Sequence, residues 1–587
     1  MVTLTIDGKE VSVPEHTTIL NAAYQAGSMI PTLCYLKDIN EIGACRICVV
    51  EVEGTDKLVS SCNNEVAEGM VVNTMSPRVV ASRRETMALI LSRHKSECTT
   101  CTRNGNCMIQ RNAAALNITN IPYPVEYDQQ KNPTDFPLVR DASKCISCMR
   151  CVSECSKVQN LNVWDLARTG SNAHVGAAGC RDISEAACAL CGQCITHCPC
   201  GALSERDDTQ KVFDIIADPE RIAIVQIAPS IRTAWGESVS LSKEEATMGR
   251  MVAAVRKLGF DYVFDTDFAA DMTIMEEGTE LLHHLKEEPG QPMFTSCCPG
   301  WVRFLKAKHP SLVKHLSTTK SPQQIFGAIA KNYYAEILGV DPAKIAVVSI
   351  MPCVAKKAEC AYEDMDTTGT GPDVDVVLTT RELGRMLKAQ FINVRNLPEE
   401  EFDMPLGEAT GAGHIFGVST GAAVIFGATG GVMEAALRSA HFLVTGENPD
   451  PDAFSAVRGC EGWREVTYNL AGKELTVAIV SGLQNADNLC NAIENGEVDY
   501  DFVEVMACPG GCVGGGGQPI HEGRECAAER ELILRDIDTN SKLRFSHENP
   551  SVVECYEKYF GEPNSEKAEQ LLHSDHFAWG MPAARQQ

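Results

Sequence analysis

Residues 145–155, CISCMRCVSEC, and residues 188–199, CALCGQCITHCP, repeat one cysteine spacing, C-x₂-C-x₂-C-x₃-C. Such a run supplies four thiolates within a short stretch, which is the ligand pattern of [4Fe–4S] clusters rather than of zinc. Where two such runs occur together, the fourth cysteine of each run binds the cluster of the other. We therefore assign one cluster to Cys145, Cys148, Cys151 and Cys198, and the second to Cys188, Cys191, Cys194 and Cys155.

This repeat resembles the bacterial two-cluster ferredoxins, which implies an α+β ferredoxin-like unit at residues 121–209. The segment before it, NITNIPYPVEYDQQKNPTDFP at residues 117–137, is rich in Pro and Asn and is predicted to be a linker. Cys180 and Cys200 lie outside the repeated spacing, so we expect them to be spare thiols.

Residues 1–77 open with two strands, VTLTI and VSVP, joined at Asp7-Gly8, and continue into a helical stretch, ILNAAYQAG. A C-x₂-C pair with one cysteine on either side can enclose a [2Fe–2S] cluster, and this region resembles a plant-type ferredoxin domain. A structural zinc site is the alternative. The candidate ligands are Cys34, Cys45, Cys48 and Cys62.

Residues 78–120 contain a helical run followed by the pattern His-x₃-Cys-x₂-Cys-x₅-Cys. Taken alone, three thiolates and an imidazole are equally a closed zinc site. The pattern also resembles the His-ligated [4Fe–4S] segment of the large iron–sulfur subunit of respiratory NADH dehydrogenase and of some hydrogenases. An imidazole in place of a thiolate removes a negative charge and should raise the cluster potential. The candidate ligands are His94, Cys98, Cys101 and Cys107.

The composition agrees with metal binding by thiolates. The 587 residues include 27 cysteines and carry a net charge of −26, which disfavours nucleic acid or an anionic membrane as partner. The N-terminal residues lack an apolar leader, and the uncharged run at residues 421–433 is too short and too rich in glycine to cross a membrane. We expect a soluble cytoplasmic protein without structural disulfides.

Residues 210–587 alternate short Val- and Ile-rich runs with helical stretches, which predicts an α/β region of two lobes with parallel sheets. The predicted strands include RIAIVQIA, YVFDT, AVVSI, DVVLTT, LTVAIVSG and VEVMA. GAGHIFG at residues 411–417 has the wrong spacing for a dinucleotide loop, and the chain has no GxxxxGK[ST] motif. We therefore expect no direct binding of NAD(P) or ATP by these routes.

Three cysteine motifs lie at predicted strand-to-loop exits: TSCCPGW at residues 295–301, MPCVAKK at 351–357 and MACPGGCVGGGGQP at 506–519. Any single cysteine here is most simply a small buried residue. Three motifs that are each flanked by Pro or Gly fit that explanation poorly and suggest one more [4Fe–4S] cluster.

These motifs closely resemble the active-site motifs of [FeFe]-hydrogenases, and the order of the preceding clusters resembles the large clostridial-type members. The resemblance extends to APSIRTAWGE, FDTDFAADMTIMEEGTELL, SPQQIFGAIAK and GAAVIFGATGGVMEAALR. It implies one [2Fe–2S] cluster, three [4Fe–4S] clusters, and a catalytic domain at residues 210–587 that ends in a small-subunit-like tail. That domain would hold an H-cluster, which is a [4Fe–4S] cubane joined to a diiron unit with CO, CN⁻ and azadithiolate ligands.

The implied activity is reversible oxidation of H₂ to protons. Electrons would pass through the four clusters to or from ferredoxin, or a flavin-containing NAD(P)-linked subunit. Hydrogenase maturation proteins would insert the diiron unit. Both a ferredoxin-linked monomer and the catalytic subunit of a multimeric NAD(P)-linked complex agree with this pattern.

The resemblance also implies roles for residues around the H-cluster. Cys298, Cys353, Cys508 and Cys512 would bind the cubane, with Cys512 bridging to the diiron unit. Lys356 would pair with one cyanide, and Ser230 with the Ala228–Pro229 backbone would hold the other. Lining residues would be Gln323, Met351 and Met506.

A proton relay is implied as well, running from Cys297 through Glu277 and Ser317 to Glu280. Glu277 and Glu280 are three residues apart and share a helix face, which without the resemblance would simply be a solvated acidic face. The family path commonly ends at an arginine four residues after the second glutamate, where this chain has His284.

Three other classes compete with this interpretation. The NADH dehydrogenase subunit shares the first two cluster motifs but lacks TSCCPGW and MPCVAKK. A non-catalytic iron–sulfur assembly relative typically loses the lysine and the relay cysteine, and Lys356 and Cys297 are present here. An H₂ sensor usually carries a signalling domain or a changed relay, and neither is evident.

Overall fold

The computed structural model describes residues 1–587 except 129–134, 171–172, 404–415, 461, 471, 523 and 583–587. The middle of the predicted linker and most of GAGHIFG therefore lie outside the described residues.

The N-terminal region is a five-stranded mixed sheet in the order β2-β1-β5-β3-β4 with one helix against it. The first hairpin turns at Asp7 and Gly8, which both have positive φ, and α1 begins where Thr18 caps the Asn21 amide. Its elements are β1 (Val2–Ile6), β2 (Lys9–Val13), α1 (Ile19–Gln25), β3 (Val49–Val52), β4 (Val59–Ser60) and β5 (Val71–Asn73).

The next region carries the cysteine repeat and is mostly loop, with short helices and two-stranded ribbons. The two halves of the repeat share a backbone conformation: α4 and α5 follow the left-handed residues Met149 and Gly192, and Ser147 and Leu190 are also left-handed. The elements are α2 (Pro77–Ser92), α3 (Met108–Ala115), β6 (Leu138–Arg140), α4 (Arg150–Lys157), β7 (Trp164–Ala167), β8 (His174–Ala177), α5 (Gln193–Thr196) and β9 (Leu203–Glu205).

The first catalytic lobe is built on a four-stranded parallel sheet in the order β11-β10-β13-β14. Its strands are buried nearly throughout because helices cover both faces, as the Val- and Ile-rich runs predict. The elements are α6 (Thr209–Ala217), β10 (Ile222–Ile227), α7 (Met248–Arg256), β11 (Tyr262–Asp265), α8 (Asp267–Glu287), α10 (Pro322–Ile329), α11 (Ala335–Leu338), β13 (Ile345–Met351), α12 (Lys356–Glu359), β14 (Val376–Thr379) and α13 (Thr380–Ala389).

The second lobe has a mixed sheet in the order β12-β17-β16-β15, so the expectation of parallel sheets is met only in part. Strand β15 runs antiparallel to β16 because the two form a hairpin, and β15 alternates between exposed and partly buried residues as an edge strand does. The elements are β12 (Met293–Phe294), α9 (Pro299–Lys308), α14 (Gly421–Val424), α15 (Gly431–Thr445), β15 (Trp463–Leu470), β16 (Lys473–Ser481), α16 (Leu483–Glu494) and β17 (Phe502–Met506).

The C-terminal tail comprises α17 (Ala527–Asn540), α18 (Pro550–Cys555) and α19 (Glu566–Leu572) and packs on both lobes. Helix α8 lies between the lobes, in contact with α10 of the first and α15 of the second. In the described part of the chain, every helix is too short or too polar to cross a membrane.

Candidate active site

The cysteine motifs of the catalytic region meet where the strands of the two sheets end. Cys298 caps α9 just after β12, Cys353 follows β13, and Cys508 follows β17. Burial raises the pKa of the Cys353, Cys508 and Cys512 thiols, and the nearby sulfur of Cys298 adds to the rise in each of the three. Four clustered sulfurs repel when ionised, so this donor set fits a multiply charged soft metal group, as in iron–sulfur or zinc sites.

The glycine loop after Cys512 lets this site approach the second half of the cysteine repeat. A Cβ on Gly516 would lie 2.1 Å from the Cys191 carbonyl oxygen, and one on Gly515 would lie 2.3 Å from that of Pro352. The Cys508 sulfur is 3.6 Å from the Cys191 carbonyl oxygen. Only glycine permits this spacing between the two cysteine loops.

Gly516→Ala is expected to destabilise the catalytic region by about 1–3 kcal/mol, because the clash is with backbone that cannot rotate away. Gly278→Ala is the matched control, since that helical glycine has open space around its Cβ and should gain about 0.5–1 kcal/mol. Thermal unfolding of the two variants measures the contrast. Equal midpoints would show that the two loops are not held in contact.

Lys356 lies beside these cysteines, as the resemblance implies, but it already has a counter-ion. Its Nζ donates to both carboxylate oxygens of Glu359, at 3.0 and 2.9 Å, and to the Cys297 carbonyl oxygen at 3.2 Å. Burial acts to lower the pKa of Lys356, and the Glu359 carboxylate raises it above its usual value. Sequence reasoning missed Glu359, although its position three residues after Lys356 on α12 was a signal.

The other predicted lining residues surround the same space. Met351 and Met506 end β13 and β17 with buried side chains, and Ala228–Pro229 follows β10. Among the described residues, neither the Ser230 hydroxyl nor the Gln323 side-chain oxygen has a hydrogen-bond partner, although both are buried. Buried polar atoms without partners are rare in proteins, and here they leave hydrogen-bonding capacity for a bound group.

The predicted relay residues form an interrupted line toward the surface. Burial, followed by the Glu277 charge, holds the pKa of Cys297 well above its usual range. Burial and then the Glu280 charge raise the pKa of Glu277 to about 8, partly offset by Ser317 and the Ser296 amide. Ser317 Oγ donates to Glu280 Oε2 at 2.6 Å. Within the described part of the chain, the Glu277 carboxyl has no hydrogen-bond partner of good geometry.

Comparison with known families gives this geometry a context. The model of the iron only hydrogenase large subunit, C-terminal domain, matches residues 221–516, which is half of the chain.

The chain belongs to the iron-only hydrogenase family.

Three further family models match this hydrogenase. They are the 2Fe-2S iron–sulfur cluster binding domain at residues 1–77, the iron–sulfur binding region of NADH-ubiquinone oxidoreductase-G at residues 83–122, and the iron hydrogenase small subunit at residues 525–579.

Individual relatives agree. The NADP-reducing hydrogenase subunit HndD of Solidesulfovibrio fructosivorans is 45% identical over 98% of this chain and 99% of its own length. Iron hydrogenase 1 of Clostridium pasteurianum is 38% identical over 98% of this chain and 99% of its own length. An apo [FeFe]-hydrogenase structure from Chlamydomonas reinhardtii superposes with a TM-score of 0.56 at 39% identity, covering 64% of this chain and all of that one. The enzyme therefore oxidises H₂ or reduces protons at an H-cluster and relays electrons through iron–sulfur clusters.

In the hydrogenase, the four N-terminal cysteines come together. Hydrogen bonds from the Cys45 and Cys62 thiols hold the pKa of Cys34 far below its usual range, and the backbone amides of Ala44 and Cys45 approach the same sulfur. The Cys48 thiol is in turn hydrogen-bonded with that of Cys62. Sulfurs in mutual contact with nearby N–H donors are the environment that a small iron–sulfur cluster requires.

His94 and its three cysteines line one cavity. The His94 Nδ1 lies 2.8 Å from the Lys144 carbonyl oxygen, which fixes the ring and leaves Nε2 for a metal. A Cβ on Gly201 would lie 2.4 Å from the Cys101 sulfur, so this cavity adjoins the end of the cysteine repeat.

The two halves of the repeat come together in the fold. Cys145, Cys148, Cys151 and Cys198 line one cavity, and the second set lies deeper, where Cys191 neighbours Cys508. Cys200, which the spacing leaves unassigned, lines the first cavity too, with its sulfur 4.0 Å from that of Cys198. Cys180 is exposed.

Proposed function

We propose that this hydrogenase carries one [2Fe–2S] cluster and three [4Fe–4S] clusters in addition to the H-cluster. The observation that carries the proposal is the convergence of five separate sulfur-rich donor sets, one of them at the ends of the catalytic strands next to Cys297 and Lys356. The proposed domains are residues 1–77, 78–120, 121–209 and 210–587, with the α+β ferredoxin-like domains before the catalytic one.

Cys298, Cys353, Cys508 and Cys512 would hold the H-cluster through its cubane, with Cys512 as the bridging thiolate. When bound, the H-cluster supplies the metal site at which H₂ is split or formed and an amine base beside it. The Ser230 hydroxyl, which has no hydrogen-bond partner among the described residues, and the ammonium of Lys356 would orient it by hydrogen bonds. Because Glu359 also contacts Lys356, the positive charge of Lys356 would be shared between the Glu359 carboxylate and the bound H-cluster.

The contacts between the donor sets support a forked electron path. Asn40 Nδ2 donates to the Cys34 carbonyl oxygen at 2.7 Å and to that of Cys148 at 3.0 Å, which joins the N-terminal set to the repeat. The His94 set adjoins Gly201, which lies three residues after Cys198, a proposed ligand of the same cluster as Cys148. Electrons from either set would then pass through the proposed cluster of Cys188, Cys191, Cys194 and Cys155. From there they would reach the H-cluster where Cys191 contacts Cys508.

Protons would leave the buried site along Cys297, a water, Glu277, Ser317 and Glu280. Raised pKa values keep Cys297 neutral and leave Glu277 protonated in part near neutral pH, so each can hold and release one proton. A water between Cys297 and Glu277 would give the Glu277 carboxyl a hydrogen-bond partner that the described residues do not provide.

For the electron partner we propose a flavin-containing NAD(P)-linked subunit, since HndD is named as a subunit of an NADP-reducing hydrogenase. This chain lacks a nucleotide-binding motif of its own, so reduction of NAD(P) would need such a partner. Ferredoxin is the alternative partner, and the diiron unit would come from hydrogenase maturation proteins.

Iron content and infrared spectroscopy test the proposal. Anaerobically matured protein is expected to contain about 20 irons per chain and to show bands of metal-bound CO and CN⁻. Protein made without maturation enzymes should contain about 18 irons and lack those bands. Zinc in the segment around His94, or matured protein without the bands, would contradict the corresponding part of the proposal.

A further inference from the structure

The C-terminal tail lies directly against the outer end of the relay. The Ser574 amide donates to the Thr318 carbonyl oxygen, the Lys320 amide donates to that of Leu572, and Thr319 and His573 pair as an antiparallel bridge. The tail thus holds the backbone of the segment that carries Ser317, and it brings an imidazole to the relay.

His573 links two glutamates of α8. Its Nε2 is 3.1 Å from Glu276 Oε2, and its Nδ1 is 2.7 Å from Thr318 Oγ1. The Thr318 hydroxyl is also 3.1 Å from Glu280 Oε1. An unbroken line of hydrogen-bonding groups therefore leads from the end of the proposed relay, Glu280, to the ring of His573.

Glu276 decides which ring nitrogen carries the proton. Its carboxylate accepts hydrogen bonds from the Tyr556 hydroxyl and the Asn564 amide, so toward His573 it also acts as an acceptor. The neutral ring must then bear its proton on Nε2, which leaves Nδ1 with a lone pair facing Thr318.

Two arrangements satisfy every hydrogen bond in this line, and they differ by the net transfer of one proton from Glu280 to His573. In the first, protonated Glu280 donates to Thr318 Oγ1, and the Thr318 hydroxyl donates to the neutral His573 Nδ1. In the second, the imidazolium donates from Nδ1 to Thr318 Oγ1, and the hydroxyl donates to the Glu280 carboxylate. Passing from the first to the second moves one O–H proton from Glu280 to Thr318 and the hydroxyl proton from Thr318 to Nδ1.

We propose that His573 is the outer proton acceptor and donor of this hydrogenase and exchanges protons with Glu280 through the Thr318 hydroxyl. This inference rests on the proposed relay that ends at Glu280. Thr318 is exposed and the His573 side chain keeps 10% of its surface in solvent, so the imidazolium can release its proton to water.

His284 occupies the position at which the family resemblance places the end of the relay, but its side chain is hydrogen-bonded elsewhere. The His284 Nε2 lies 2.9 Å from the Gln291 carbonyl oxygen, at the end of α8. The exit residue therefore comes from the tail, some 290 positions later in the chain, rather than from the next turn of the helix that bears Glu280.

Matured enzyme with His573→Gln tests the proposal, because the amide can hydrogen-bond but cannot carry a proton. We expect H₂ turnover and the exchange of D₂ with water protons to fall about tenfold. This lies below the 10²–10⁴ range of buried acid–base groups because Glu280 is itself partly exposed. Iron content and CO and CN⁻ bands should be unchanged, and added imidazole should restore the rate of His573→Ala. His284→Gln is the matched control and should behave as wild type.

Thr318→Val keeps His573 and breaks the line, so it should show the same loss, whereas Thr318→Ser should not. A second readout needs no turnover: in protein without the diiron unit, the infrared C=O stretch of Glu280, assigned with Glu280→Gln, should shift in Thr318→Val and not in Thr318→Ser.

Wild-type rates in both His573→Gln and Thr318→Val, or a loss that imidazole does not restore, would overturn the role of His573. If Glu280→Gln also turned over at the wild-type rate, the proposed relay itself would be wrong, so the two failures are distinguishable.

Discussion

Replacing Cys297 by alanine is expected to lower H₂ turnover by about 10²–10⁴-fold or more while leaving the metal content intact. Cys297 is half-buried; desolvation of its thiol and the Glu277 charge hold its pKa well above the usual range, so the thiol stays neutral and able to carry a proton. Alanine removes that proton carrier but none of the proposed ligands. Iron analysis, the infrared bands of CO and CN⁻, and H₂ oxidation with an artificial dye measure the outcome.

The neighbouring cysteine provides the contrast. Cys298→Ala should disrupt the cubane and prevent stable insertion of the diiron unit, so both iron and infrared bands should be lost. Cys297→Asp should recover part of the rate because a carboxyl also shuttles protons. Cys490→Ala, at a buried thiol in α16 remote from these roles, is the control. If Cys297→Ala loses the cluster, or turns over at the wild-type rate, the division of roles between the two residues is wrong.

Glu277→Gln should also lower turnover by about 10²–10⁴-fold, because an amide of the same shape cannot release a proton. In the wild type, the pKa of Glu277 near 8 means that proton reduction should slow as the pH rises through 8 and the carboxyl loses its proton. Glu287→Gln, at an exposed position near the end of the same helix, should leave the rate unchanged. A fast Glu277→Gln enzyme with normal iron content would show that protons leave by another route.

Glu277→Gln should slow turnover, yet it should make the folded protein more stable than the wild type at higher pH. The Glu277 carboxyl ionises near 4.5 in the unfolded chain and near 8 in the folded protein, so the unfolded state binds fewer protons between these values. Wild-type stability should therefore decrease as the pH rises from about 4.5 to 8, whereas glutamine carries no such penalty. Denaturant unfolding across this range should show Glu277→Gln gaining relative to wild type with rising pH. A constant difference would mean that Glu277 is ionised in the folded state.

The sequence predicted the strands of the catalytic lobes, since hydrophobic runs are a local property, and the local cysteine spacing is what the proposed ligand sets rest on. It failed where a distant segment decides the outcome. It predicted parallel sheets, whereas β15 is an antiparallel edge strand. Whether two strands run parallel or antiparallel depends on which strands become neighbours in the sheet. The counter-ion Glu359 and the tail residue His573 carry no local motif, and each becomes visible only beside Lys356 or Thr318.

By itself, then, the sequence determined which chemistry this protein performs: C-x₂-C runs and the TSCCPGW, MPCVAKK and CVGGGG motifs indicate sulfur ligands whose spacing suits only a few metal groups. The tertiary structure alone decided how the groups are connected. Gly516 touches Cys191 across more than 300 positions, and His573 reaches Glu280 through Thr318 across a similar gap. Electron and proton transfer depend on distances of a few ångströms between such residues, and those distances arise from packing the two lobes and the tail together rather than from any local pattern.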